Sequence, residues 1–155
     1  MRSLLKPIVR LMMAVLLASV AACGGDDTPE AQVRRTVEVM EVAAEERDVG
    51  DLTQHISPQF RDAYGRDAKE LSQYVRGYFI ANQSIHLLTR ISDLEFPTKD
   101  EATAKVTVAM VSREADESNA WNLGGDVYDF DVTFMREGDE WKVTYAKWRS
   151  SSSTM

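Results

Sequence analysis

The sequence predicts an α+β fold, in which three N-terminal helices pack on a strongly curved antiparallel sheet of about four strands. Up to about residue 82, apolar residues recur every three or four positions, as on one face of a helix. Beyond that point they alternate with polar residues, as on one face of a strand. The 155 residues are 44% hydrophobic, which suits one domain with its own core. We therefore expect a single globular domain.

A segment with the pattern of a secretion signal precedes this domain. Arg2, Lys6 and Arg10 are followed by the apolar run "LMMAVLLASVAA", residues 11–22. A membrane-spanning helix needs about 20 apolar residues, so this run is too short to remain as a span. We expect residues 1–22 to be a signal peptide that is removed.

The end of this segment, Val20-Ala21-Ala22-Cys23, resembles the lipobox of bacterial lipoproteins. The resemblance implies cleavage between Ala22 and Cys23 and attachment of acyl chains such as palmitate at Cys23, with residues 23–28 as a short tether. Because several chains hold a protein to a membrane far better than one does, such an anchor would be stable. In a Gram-negative source, Gly24 after the cysteine implies the periplasmic face of the outer membrane. The alternatives are an ordinary secretion signal with a chance cysteine, or a core cysteine.

The charge of the chain excludes a nucleic-acid partner. The net charge is −7, and loss of the three basic leader residues changes it to −10. Nucleic-acid phosphates are bound by clustered Lys and Arg, which an acidic domain of this kind lacks. Cys23 is the single cysteine, so neither a disulfide nor thiol chemistry is expected.

Capping residues place the three helices. Thr28 before Pro29 is typical of a helix start, and this helix should continue to about Arg47 and end before Gly50. Asp51-Leu52-Thr53-Gln54 resembles a capping box that opens a short second helix, which Ser57-Pro58 should stop.

A second capping box, Asp67-Ala68-Lys69-Glu70, opens the third helix. The apolar face of this helix carries Leu71, Tyr74, Val75, Tyr78 and Phe79.

Four alternating segments predict the strands, at about residues 85–96, 104–110, 128–134 and 141–145. The alternation of the first segment changes frame near Ser92-Asp93, which predicts a bulge there. Since Phe134 and Trp141 should share a face across a turn, we expect the pairs 134 with 141, 132 with 143 and 130 with 145.

This order of elements, the link "GDLTQHISPQF" and the last strand "EWKVTYAKW" resemble the nuclear transport factor 2-like (cystatin-like, SnoaL-like) superfamily. The resemblance covers residues 29–149 and leaves 150–155 as a disordered tail. It implies a sheet curled into a cone that holds a small molecule, an active site or only side chains. The candidate pocket lining is Tyr78, Met110, Tyr128, Phe130, Trp141 and Tyr145.

Catalytic members of that superfamily, such as ketosteroid isomerases and scytalone dehydratase, place Asp, His or Tyr inside the cone. Here Asp129, Asp131 and His86 alternate out of frame with their apolar neighbours, so we expect them on the outer surface of the sheet. Inward tyrosines such as Tyr128 and Tyr145 are more simply core residues. The sequence has no phosphate-binding loop and no metal-ligand motif. It therefore predicts no catalytic residue, metal or cofactor, and a protein that is not an enzyme.

A long connection, residues 112–125, places Trp121 among polar residues, either as a plug of the core or as a lid or partner contact. The favoured function is a non-catalytic, membrane-anchored module that binds a small apolar ligand or an envelope protein. One alternative is an isomerase- or dehydratase-like enzyme that uses the cone as its active site. The other is a structural module that forms a homodimer through its sheet.

Overall fold

The computed structural model describes residues 27–114 and 123–151. The signal segment, Cys23, Trp121 and residues 152–155 lie outside the described residues, so the predictions made for them stay predictions. The elements are α1 (Pro29–Glu45), α2 (Val49–Thr53), β1 (Ile56–Asp62), α3 (Ala68–Ala81), β2 (Asn82–Thr98), β3 (Glu101–Glu114), β4 (Leu123–Glu137) and β5 (Glu140–Ser150). None of the helices in the described ranges is long and apolar enough to cross a membrane.

The predicted α+β class is confirmed, and the sheet has five strands in the order β1-β5-β4-β3-β2. The additional strand is β1, which pairs in parallel with β5, whereas all other neighbours are antiparallel. Ser57-Pro58 was predicted to stop a helix, but it lies inside this strand. Proline is tolerated there because β1 is at the edge of the sheet. Its pairing with β5 joins residues far apart in sequence, which no local pattern reveals.

Two of the three predicted helix starts are confirmed. The Thr28 hydroxyl accepts a hydrogen bond from the Ala31 N–H at 3.1 Å. Asp67 and Glu70 form the full reciprocal capping box, with both bonds at 2.9 Å. The predicted start of α2 at Asp51 is wrong by three residues, because Asp48 is the cap and accepts from the Asp51 N–H at 2.9 Å.

The β4–β5 hairpin turns through two residues, with Gly138 at a φ of +65°. A two-residue turn favours glycine because left-handed backbone carries no Cβ penalty there. The structure pairs Phe134 with Val143, so the predicted pair of 134 with 141 is wrong. The predicted bulge of β2 near Ser92-Asp93 is confirmed by a register shift after Ser92.

A bulge in β5 sets which side chains face the core. Val143 pairs with Phe134, but the next paired residue is Tyr145, opposite Thr133, so Thr144 is the extra residue. Alternation therefore changes frame, and Ala146 and Trp148 take the inner positions opposite 132 and 130. The predicted pairs of 132 with 143 and 130 with 145 are wrong for this reason.

The narrow part of the curved sheet is filled with side chains. Its most buried large residues are Trp141, Phe60, Phe134 and Val33. They pack with apolar residues of α1, β1, β3 and β5, so this part of the cone is a core. Among the described residues, the larger open space lies where aromatic residues reach the rim.

Candidate functional site

A cleft of about 350 Å³ opens beside α3 and the end of β5. Its walls are Tyr64, Arg66, Tyr74 and Trp148. Sites for small molecules begin at about 300 Å³ and are mostly apolar with a few polar groups. The volume of this cleft, which is open to solvent, reaches that lower limit, and three of its four walls are aromatic.

The turn between β1 and α3 positions the arginine of the cleft. The carboxylate of Asp62, whose side chain is fully buried, accepts from the backbone N–H of Tyr64 at 2.8 Å and of Arg66 at 2.9 Å. Its other oxygen accepts from Arg66 Nε at 2.6 Å. Gly65 has a φ of +84°, a conformation that glycine adopts without strain.

The hydrogen bonds of this turn change the pKa of Asp62. Burial alone raises the pKa of the carboxyl group, because it disfavours the charged form. The hydrogen bonds from Arg66 and Tyr64 and the charge of Arg66 outweigh burial, so the pKa lies below its ordinary value. Asp62 is therefore a fixed anion that orients Arg66.

Aromatic side chains continue from the cleft along the inner face of β4. Trp148 packs against Phe130 with ring centroids 5.8 Å apart, and Phe130 lies 6.4 Å from Tyr128. The side chain of Asp126 lies on the same face of β4 as that of Tyr128, because residues two apart share a face. Asp126 is exposed at the rim of the cone and pairs across the strands with Met110.

Tyr128 and Asp126 interact. Burial is the first cause that raises the pKa of the Tyr128 hydroxyl, and the negative charge of Asp126 is the second. Tyr78 and Tyr74 also lie close enough to raise this pKa, and the Tyr78 hydroxyl contacts the Met110 sulfur at 3.2 Å. At neutral pH, Tyr128 is thus a protonated donor beside a carboxylate.

The predicted pocket residues are distributed over three environments. Tyr78, Met110, Tyr128 and Phe130 lie together near the cleft, although none is part of its immediate wall. Trp141 is 2% exposed in the core, where its indole N–H donates to Gln32 at 3.0 Å. Tyr145 is 38% exposed on the outer face, because the β5 bulge turns it outward. Its predicted inward position is wrong.

The polar residues predicted for the outer face lie there. Asp129 accepts from the Ser151 hydroxyl and, at 3.0 Å, from the Thr107 hydroxyl, and these bonds lower the pKa of its carboxyl group. Asp131 and His86 are exposed. None of these side chains reaches the inner face.

A second, smaller cavity of about 180 Å³ lies at the opposite edge of the core, next to His55 and Trp141. Burial is the main cause that lowers the pKa of His55, and its Nε2 atom has no hydrogen-bond partner among the described residues. In residues 27–114 and 123–151, no cluster of His, Asp or Glu side chains has the arrangement to hold a metal ion.

Sequence reasoning missed the cleft residues Tyr64, Arg66 and Trp148, and also Asp126. Two signals could have found some of them. Asp126 is in frame with Tyr128 and Phe130, and Gly65 between Tyr64 and Arg66 marks a turn. Trp148 could not be found, because its inward direction depends on the bulge at Thr144.

Comparison with solved structures gives related folds. A protein provisionally named a scytalone dehydratase, from Novosphingobium aromaticivorans, has a TM-score of 0.70 and 13% identity, covering 77% of this chain and 82% of its own. The hexachlorocyclohexane dehydrochlorinase LinA-type3 from Novosphingobium barchaimii has a TM-score of 0.63 and 12% identity, covering 79% and 86%. A protein from Nostoc punctiforme described as cystatin-like has a TM-score of 0.64 and 12% identity, covering 80% and 92%. No protein-family model and no curated protein sequence matches the chain.

The prediction that the chain is not an enzyme is contradicted by these structures. Several chains that share its fold are named as dehydratases or dehydrochlorinases. The absence of a catalytic acid was inferred from Asp129 and Asp131, which face outward, whereas Asp126 alternates in frame with Tyr128. Since the identities are 10–17%, the likeness concerns the fold and not a particular reaction. The chain has the cystatin-like, nuclear transport factor 2-like fold.

Proposed function

We propose that this chain is a small enzyme that catalyses proton abstraction leading to elimination or isomerisation of a planar, largely apolar substrate. The observation that carries the proposal is the pair of Asp126 and Tyr128 on the inner face of β4, next to an aromatic cleft. In this assignment the cleft holds the substrate ring, Asp126 is the base, and Tyr128 is a hydrogen-bond donor.

The chemistry of the pair supports these roles. A carboxylate accepts a proton from carbon efficiently only when it is placed against the substrate and when the charge formed there is stabilised. The Tyr128 hydroxyl is protonated at neutral pH, and burial, then the charge and hydrogen bond of Asp126, raise its pKa further. In this proposal the hydroxyl turns from Asp126 to a substrate oxygen that gains negative charge. The nearby rings of Phe130 and Trp148 provide an apolar surface for a flat substrate.

A test uses 5-nitrobenzisoxazole, a flat probe that reports proton abstraction by colour. The base removes the proton from C3, the C–H electrons form the nitrile, and the N–O bond breaks to leave a phenolate. We expect Asp126→Asn to lower kcat/KM for this probe about 100-fold, because the base is lost. Tyr128→Phe should lower it about tenfold, because one hydrogen bond to the phenolate oxygen is lost.

The matched control is Asp131→Asn, which removes an exposed carboxylate from the outer face of the same strand. This variant should keep the wild-type rate within about twofold, as expected for a surface charge far from the reacting atoms. Equal rates for the wild type and Asp126→Asn would overturn the assignment of Asp126 as base.

We also propose that the enzyme works at a bacterial membrane, attached through acyl chains on Cys23. The lipobox-like Val20-Ala21-Ala22-Cys23 and the short apolar run before it support this proposal. Gly24 and Gly25 follow, so only a short tether would separate the anchor from α1. The predicted homodimer contact through the sheet and the predicted protein partner stay predictions.

Cells grown with radiolabelled palmitate test the anchor. We expect Cys23→Ala to lose all label and to leave the membrane fraction, because Cys23 is the single cysteine of the chain. Gly25→Ala is the matched control and should keep both. Persistent label or unchanged membrane fractionation of Cys23→Ala would contradict the anchor.

A further inference from the structure

Arg66 gives the aromatic cleft a charged group whose donors are largely unused. A guanidinium group has five N–H donors, and of these the Nε–H is used by Asp62 at 2.6 Å. Within the described parts of residues 27–114 and 123–151, neither Nη atom of Arg66 donates a hydrogen bond. The Arg66 side chain is 25% exposed and lines the cleft. Four N–H donors therefore have no partner among the described residues, on a side chain that is partly open to the cleft.

Three aromatic rings hold this guanidinium group in place. Its central carbon lies 4.6 Å from the ring centroid of Tyr74, 4.9 Å from that of Trp148 and 5.1 Å from that of Tyr64. Rings at these distances attract a cation. The ring faces are already occupied by a positive charge, so the cleft disfavours a cationic ligand.

The opposite sign of ligand fits the same geometry. Because Asp62 binds Nε and three rings contact the guanidinium group, its movement is restrained, which lowers the entropy lost on binding. Two coplanar acceptor oxygens match such a pair of donors, and a carboxylate offers them. Tyr64 and Tyr74 are 68% and 52% exposed, so the ring surface that Arg66 does not cover suits a flat apolar group attached to that carboxylate.

We propose that the cleft selects substrates in which a carboxylate, bound by the Nη groups of Arg66, is attached to a planar ring. This inference rests on the proposed function, since it takes the cleft as the substrate site. It adds the class of substrate and a positioning residue, because a carboxylate bound by Arg66 directs the ring along the aromatic wall.

The test compares benzoate with its neutral isostere benzamide and with benzylammonium, using ligand-observed NMR titration of the full-length protein. We expect benzoate to bind about tenfold more tightly than benzamide, and benzylammonium to bind more weakly than either. Arg66→Gln should reduce the benzoate preference to about one, whereas Arg66→Lys keeps the charge without the paired donors and should retain part of it. Arg76→Gln, an exposed arginine on α3, is the matched control and should keep the full preference.

Benzamide also reports whether the cleft is intact in each variant, because its binding does not require the charge. If Arg66→Gln does not fold, the three affinities of the wild type decide the question. A wild-type benzoate preference of one or less, no binding of either ring, or an unchanged preference in Arg66→Gln would overturn the inference.

The elimination assay separates the two proposals, because it depends on Asp126 and uses an uncharged probe. Loss of the benzoate preference with an intact Asp126-dependent rate overturns only the carboxylate inference, and the reverse result overturns only the catalytic role.

Discussion

Asp62→Asn is expected to lower the free energy of unfolding by about 3 kcal/mol. The buried carboxylate of Asp62 accepts three hydrogen bonds, two from backbone N–H groups of the turn and one from Arg66. Asparagine keeps the shape but places an amide NH₂ where one oxygen accepted, and it leaves the Arg66 charge unpaired among the three rings. Urea unfolding at pH 7 measures the difference.

Glu30→Gln is the control for this measurement. It also breaks a carboxylate–arginine pair at i,i+4, with Arg34 at 2.8 Å, but those side chains are 57% and 43% exposed. Exposed pairs of this kind stabilise a protein by about 0.3–0.5 kcal/mol. Similar losses for Asp62→Asn and Glu30→Gln would show that the Asp62 carboxylate does not hold the turn.

The effect of Asp62→Asn should also depend on pH in a definite direction. The pKa of Asp62 is lower in the folded protein than its ordinary value of 3.8. The stability that the carboxylate provides is therefore complete above the unfolded pKa and is lost as the pH falls through the folded pKa. The difference between the wild type and Asp62→Asn should be constant from pH 7 to about 5 and should shrink below about pH 4.

Local patterns predicted those parts of the fold that depend on neighbours in sequence. The caps at Thr28 and Asp67 and the β2 bulge depend on residues a few positions apart, and all three are confirmed. The parallel strand β1 was missed because its partner Val143 is 87 positions from Ile56. A short apolar run next to a proline does not show that such a partner exists.

The candidate site was predicted less well than the fold, and for the same reason. Tyr128 and Phe130 were found because strand alternation gives their direction. Arg66 lies in a turn and Trp148 near the end of β5, and the two meet only in the folded chain. There the guanidinium carbon of Arg66 lies 4.9 Å from the ring centroid of Trp148. Neither residue lies in a motif, so sequence alone could not bring them together.

Trp141→Ala and Tyr145→Ala test whether the β5 bulge sets the faces of this strand. Strict alternation predicts that both residues face the core. The structure buries Trp141 and places Tyr145 on the outer face, opposite Thr133. We therefore expect Trp141→Ala to lower the free energy of unfolding by about 4 kcal/mol, through lost packing and a cavity.

Tyr145→Ala should lower the free energy of unfolding by less than about 1 kcal/mol, because a half-exposed side chain on a sheet surface loses only cross-strand contacts. Both variants remove an aromatic ring from the same strand, so loss of strand propensity is similar in the two and cannot explain a difference between them. Urea unfolding of the pair measures it directly. Losses of similar size would mean that Tyr145 faces the core, that β5 has no bulge at Thr144, and that Trp148 faces away from the cleft.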